Sequence, residues 1–269
     1  MQLNIHAMYF SPTGTTQKTT STIAASLAGE EGFSALDFTR PEGRKNPAVF
    51  KEGDLVVAGV PVYAGRIPNV LLSYLDTLAG NGALAVAVVV YGNRDYDDAL
   101  IELKDILTEH GFKVIAGGAF IGEHSFSTTL GANRPDEKDI KIARDFAAGI
   151  ADKLEKSRDY SELVVKGKRP YRKYYMPKTA AGEDNKAFRT VTPMTSEDCT
   201  DCKTCAEICP IGSIDYEDIR KYNGICIKCC ACIKRCPVGA KYFDDPDYLF
   251  HKNRLEAAFT ARREPELFL

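Results

Sequence analysis

All nine cysteines of this chain lie between Cys199 and Cys236, and the preceding 198 residues contain none. They form two ladders of the same spacing: Cys199-x2-Cys202-x2-Cys205-x3-Cys209-Pro210, then Cys226-x2-Cys229-x2-Cys232-x3-Cys236-Pro237. A secreted disulfide scaffold would spread an even number of cysteines through its fold. Thiols packed this tightly are metal ligands instead. Zinc ligands usually come as two separated pairs, not as a 2-2-3 ladder ending in proline, twice. Cys230 breaks the register and reads as a small apolar residue or a neighbouring thiol beside the metal group. The cysteines therefore mark a metal module, and the long cysteine-free stretch before it is a second unit.

At these residues the chain resembles bacterial-type 2[4Fe–4S] ferredoxins, over about Ser196–Tyr242. In that run the fourth cysteine of each ladder ligates the other cluster. Three cysteines at x2 spacing wrap three corners of a cubane, and the prolines turn the chain away from the loop. The resemblance implies one cluster on Cys199, Cys202, Cys205 and Cys236. It implies a second on Cys226, Cys229, Cys232 and Cys209. Two such clusters imply one-electron transfer, with any organic chemistry done elsewhere.

The first 155 residues alternate between apolar runs of strand length and amphipathic helical stretches. Strands are expected at Gln2–Phe10, Phe33–Phe38, Asp54–Val60, Ala83–Tyr91 and Phe112–Ile121. Helices are expected at Thr15–Ala28, Asn69–Ala79, Asp97–His110 and Pro135–Lys156. Ala83–Tyr91 is a near-continuous Ala/Val run, as a strand buried on both faces requires. The order implies an α/β fold, a parallel sheet with helices on both sides.

The loop between the first strand and first helix reads Ser11-Pro12-Thr13-Gly14-Thr15-Thr16. Its place presents backbone N–H groups and the positive helix end to an anion. The dinucleotide and Walker patterns are both absent here. A hydroxyl-rich loop with one glycine suits a phosphomonoester. Here the chain resembles flavodoxin, over about Met1–Lys156, and the resemblance implies FMN with its phosphate at Ser11, Thr13, Gly14, Thr15 and Thr16. A flavodoxin-like doubly wound, five-stranded parallel sheet holds FMN outside the carboxyl ends of its strands. Further flavin contacts are then expected after strand three, at Pro61, Tyr63, Gly65 and Arg66, and after strand four, at Tyr91, Gly92, Asn93, Arg94 and Tyr96. Tryptophan, often a stacking residue in flavodoxins, is absent, so Tyr63, Tyr91 or Tyr96 must stack. Arg66 and Arg94 either face the ring or pair with nearby aspartates. After strand five, His124 faces the flavin or a partner, or makes a structural hydrogen bond.

Lys153–Thr190 carries 11 basic and five acidic residues, whereas Met1–Asp152 carries 13 and 19. The middle stretch also holds Tyr171, Tyr174, Tyr175 and Met176, which a flexible linker would not need. We read it as a basic arm packed on the acidic N-terminal unit. The expected organisation is 1–156, a flavodoxin-like FMN domain; 157–192, the arm; 193–245, a small α+β 2[4Fe–4S] ferredoxin domain; and 246–269, a helical tail whose apolar end docks on the protein or an oligomer partner.

The chain as a whole resembles the flavodoxin–ferredoxin fusion proteins of anaerobic bacteria and archaea. That implies electron transfer between FMN, two [4Fe–4S] clusters and redox protein partners. An alternative is an FMN-dependent reductase of a small molecule fed by the clusters, with a pocket lined by Arg66, Arg94 and His124. A third is a redox sensor or structural partner with an empty flavin site. The net charge of −2 argues against nucleic acid. No apolar run approaches the ~20 residues of a membrane span. With no leader apparent at Met1–Ile5, a cytoplasmic location is expected. A homodimer is left open.

Overall fold

Strand and helix alternate through the first 156 residues: β1 (Asn4–Tyr9), α1 (Thr15–Ala28), β2 (Ser34–Asp37), β3 (Asp54–Pro61), α2 (Leu72–Leu75), β4 (Leu84–Tyr91), α3 (Ala99–Glu109), β5 (Lys113–Ile121) and α4 (Glu137–Lys156). The computed structural model describes residues 3–156, 160 and 163–269. The expected strand start at Gln2 and the arm positions 157–159, 161 and 162 lie outside the described residues. β3 and β4 are buried at every position, which their unbroken apolar sequence requires.

The five strands pair in parallel in the order β2-β1-β3-β4-β5. That is the flavodoxin-like doubly wound order. Side chains alternate between two cores. Val86, Val88 and Val90 of β4 meet Ile23 and Ala24 of α1 and Phe146 and Ile150 of α4 on one face. Ala85, Ala87 and Val89 meet Leu100, Leu103 and Leu107 of α3 on the other.

The C-terminal part is built on a repeat. It contains β6 (Met194–Thr195), α5 (Thr204–Glu207), α6 (Ala231–Lys234) and β7 (Lys241–Tyr242), with β6 and β7 antiparallel. The chain then forms α7 (Pro246–Ala258) and β8 (Glu266–Phe268). Asp245 caps α7 by accepting from the Tyr248 N–H, and Pro246 fills its first turn.

Two expectations change. The tail is helical only to Ala258; Glu266–Phe268 returns to the N-terminal domain as a sixth, antiparallel strand on β5. The sheet is therefore six-stranded and mixed. β8 covers an edge whose N–H and C=O groups would otherwise be unpaired, and Phe268 packs on the α3-side core. The helix expected over Asn69–Ala79 contracts to a 3-10 turn and the single turn α2. Its last residues are drawn off to residues 48–50, where the Ala79 N–H donates to Ala48 O and the Phe50 N–H to Ala79 O.

The arm packs on the N-terminal domain. Leu163 and Val165 are buried in the α3-side core. Arg172 pairs with Asp97 and Asp98, Arg169 with Asp105, and the Tyr171 hydroxyl donates to Asp105 at 2.5 Å. The positive stretch thus lies along the acidic start of α3. No helix among the described residues is long and apolar enough to cross a membrane.

Candidate functional site: a four-loop pocket beside two thiol sets

The two cysteine ladders fold alike. Asp201 and Lys203 in the first, and Lys228 and Cys230 in the second, all have positive φ, at 54°, 61°, 56° and 58°. These left-handed residues curl each loop so that backbone N–H groups face sulfur. The Asp201 N–H donates to Cys199 Sγ, and the Lys228 N–H donates to Cys226 Sγ, both at 3.4 Å. After the fourth cysteines, the Ser213 N–H donates to Cys209 Sγ at 3.3 Å and the Ala240 N–H to Cys236 Sγ at 3.2 Å. Such donors stabilise sulfur that carries negative charge and tune the group it binds.

Cys199, Cys202, Cys205 and Cys236 line one cleft of about 320 Å³, together with Ile219 and Val238. Cys226, Cys229, Cys232 and Cys209 are drawn together as a second set: Cys226 feels Cys209, and Cys232 feels Cys226 and Cys209. Among the described residues no trio of Cys, His, Asp or Glu converges closely enough for a single ion. The thiols of the first set instead line a cleft, and the four-thiol donor sets suit a cluster. The sets differ in exposure. Cys202 of the first is exposed, whereas Cys229 and Cys232 of the second are buried. Tyr222 lies between them, near Cys205 of one and Cys226, Cys232 and Cys209 of the other.

Cys230 lies beside the second set, near Cys226, Cys229 and Cys232, outside the two repeated ladders. Its thiol is buried against Tyr248 and Phe243, 3.6 Å from the Tyr248 hydroxyl, and burial pushes it up to about 12.

The second site is a pocket of about 420 Å³ at the carboxyl ends of β1, β3, β4 and β5. Of the residues expected from sequence, Thr13, Thr15, Thr16, Pro61, Tyr63, Tyr91 and Gly92 line it. Pro12, Val62, Val90 and the β5 loop residues Gly122, Glu123, His124 and Ser125 complete it. Gly14 caps α1 with φ 92°, a conformation that favours glycine. The Gly14 N–H bonds to Ser11 O, and the Gln17 N–H to Ser11 Oγ. The N–H groups of Thr13, Thr15 and Thr16 are left without an acceptor among the described residues. These orphan donors at the head of a 14-residue helix fit an anionic group.

The other expected residues are engaged elsewhere. Ser11 closes the loop internally, as above. Gly65 has φ 80° and backs directly onto Asp97, where a Cβ would come within 2.5 Å of Oδ2. Arg66 turns away from the pocket. It forms a two-pronged pair with Glu102, donates to Arg172 O at 2.8 Å, and lies over the Tyr171 and Tyr174 rings. Arg94 pairs with Asp97 and lies near the Tyr175 ring. Asn93 donates to Phe259 O and Ala261 O and accepts from the Arg263 N–H. Tyr96 is fully buried, and its hydroxyl donates to Glu266 at 2.8 Å. Arg66 thus holds the arm, and Asn93 and Tyr96 hold the tail. Long-range partners that only the fold brings near decide all three.

His124 is held neutral. Its Nδ1 accepts from the Phe126 N–H at 3.1 Å, which leaves the ring proton on Nε2. Burial first, then Lys234, His251 and Arg94, lower its pKa to about 4. Its ring packs on Gly92, where a Cβ would come within 2.4 Å.

Pocket and thiols meet. Tyr63 lines the pocket, bonds through its side chain to Ser125, and lies near Cys229, Cys230 and Cys226; burial and these thiols raise its pKa. On α6, the Lys234 ammonium pairs with Glu123 and donates to His124 O at 2.8 Å and Ser127 O at 2.9 Å. A lysine two residues after Cys232 thereby fixes the fourth wall of the pocket.

Residues 157–251 match the 4Fe-4S dicluster domain family. The C-terminal part is a 4Fe–4S dicluster domain. No curated protein matches the chain. Among solved structures, it is similar to a flavodoxin from the domain Archaea, with 15% identity, a TM-score of 0.41, and 57% of this chain against 99% of that one. It is also similar to the flavodoxin of Streptococcus pneumonia TIGR4, with 17% identity, a TM-score of 0.39, and 55% against 97%. Flavodoxin 2 from Bacillus cereus gives 17%, 0.38, and 56% against 99%. The fold of the N-terminal domain follows from its own strand order, and the dicluster domain packs against the carboxyl ends of those strands.

Proposed function

We propose that the protein is an electron carrier in which FMN, held in the four-loop pocket, exchanges electrons with two [4Fe–4S] clusters of the same chain. Thr13, Thr15 and Thr16 hold the flavin phosphate, and Tyr63 is the stacking tyrosine that replaces tryptophan. Cys199, Cys202, Cys205 and Cys236 hold the outer cluster; Cys226, Cys229, Cys232 and Cys209 hold the inner one. When bound, FMN takes up two electrons and each cubane one.

The observation that carries this reading is the position of Tyr63, in the pocket wall and among the thiols of the second set. The chain's own residues keep that junction fixed: Lys234 ties down the β5 loop, and Phe126, Phe188 and Tyr248 pack beside it. The first set, with Cys202 exposed, faces solvent and suits a redox protein partner. Arg66 is engaged in an ion pair turned from the pocket, and Arg94 in one with Asp97. That supports a carrier over a reductase whose substrate those arginines would bind.

Anaerobic reconstitution of the full chain, with iron, sulfide and flavin analysis, tests the reading. About eight irons and one FMN per chain are expected. Uptake of zinc in place of iron, or iron without flavin, contradicts it.

A further inference from the structure

We infer that Arg235 of the dicluster domain is a binding residue for the flavin phosphate, reaching across the domain boundary to the loop at the head of α1. The inference rests on the FMN reading above. Arg235 follows α6 directly and precedes Cys236. One guanidinium nitrogen lies 3.3 Å from where a Cβ on Gly14 would stand. Gly14 is favoured by its positive φ, and the guanidinium lies against it. Among the described residues the Arg235 guanidinium makes no ion pair or hydrogen bond; only its backbone N–H is engaged, donating to Ala231 O.

The charge balance at the loop asks for such a group. A phosphomonoester carries about −1.5 to −2 at neutral pH, whereas a helix N-terminus offers only about half a positive charge. Lys18 is the one lysine in the first turns of α1, and it is turned away, donating to Pro135 O at 2.9 Å. The loop otherwise holds only hydroxyls and backbone amides. Arg235 is the full positive charge beside the free N–H groups of Thr13, Thr15 and Thr16. Its planar fork matches phosphate oxygens. Because Arg235 adjoins Cys236, a ligand of the outer cluster in the proposed set, one dipeptide links the flavin phosphate to that cluster.

The test uses the full-length, iron-loaded, flavin-free protein and two probes, FMN and riboflavin, which differ by the phosphate. Affinities are read by fluorescence quenching for wild type, Arg235→Gln and Arg235→Lys, with iron measured in each. Arg235→Gln should weaken FMN by about 10- to 100-fold, the size of a charge-assisted hydrogen bond, and leave riboflavin and iron unchanged. Arg235→Lys should fall between. Equal FMN affinity in wild type and Arg235→Gln overturns the inference, as does an equal loss for riboflavin. If wild type takes up neither flavin, the FMN reading itself fails, a distinct outcome that removes the inference with it. Should Arg235→Gln lose iron, the wild-type FMN-to-riboflavin affinity ratio decides. It falls as salt rises if a full charge pair is made, and constancy overturns the inference.

Discussion

Tyr63, Arg66 and His124 lie within or beside the pocket loops and do three different jobs. Tyr63 forms the wall shared with the thiols. Arg66 neutralises Glu102, which is almost wholly buried, and carries Tyr171 and Tyr174 on its faces. Arg66→Met should therefore cost about 3–5 kcal/mol, since it strands a buried carboxylate. It should also free the arm, read as a lower melting temperature and faster proteolysis between residues 157 and 192. His124 supplies a pH signature. Its pKa falls from an ordinary 6.5 to about 4 in the fold, so unfolding takes up a proton between those values. Stability is complete above pH 6.5 and is lost as pH falls toward 4, by at most about 1.4 kcal/mol per pH unit. His124→Gln should flatten that slope relative to wild type in denaturant titrations at several pH values. Sequence carries the cysteine spacing and the threonine loop in full, because both are local. It does not carry the roles of Arg66, Asn93 and Tyr96, whose partners lie in the α3 region, the arm and the tail.

At the level of elements, the decisive pieces are α6 and the returning tail. α6 is a single turn, yet its Lys234 reaches three acceptors on the β5 loop. Lys234→Met should weaken FMN and riboflavin alike, because it loosens a wall of the pocket and leaves the phosphate loop intact. That equal loss separates it from Arg235→Gln. The tail strand β8 is fixed by Tyr96 at Glu266 and by its pairing with β5, and Asn93 holds the segment that leads into it. Asn93→Ala removes three hydrogen bonds and places alanine at φ 62°. A cost of about 2–3 kcal/mol is expected in denaturant melts. The five parallel strands are legible in sequence because each is an apolar run between turn signals. β8 is not, because Glu266-Leu267-Phe268 is too short to show a period. It becomes a strand only because β5 offers an edge.

Across the whole molecule, the chain folds its dicluster domain back onto the carboxyl edge of its own sheet. The arm, Lys234, the Arg44 bond to Pro210 O at 2.6 Å and the tail strand all fix that arrangement. A pocket and two thiol sets brought together in one chain do not require a second copy for electron exchange. The second set lies beside the Tyr63 wall of the pocket, Tyr222 lies near thiols of both sets, and Cys202 of the first set is exposed. The measurement that tests this most directly is flash reduction of the reconstituted protein, with electrons delivered to the clusters and flavin absorbance followed in time. A first-order rate that does not change with protein concentration is expected. A rate that rises in proportion to concentration would place the exchange between chains and contradict exchange within one chain.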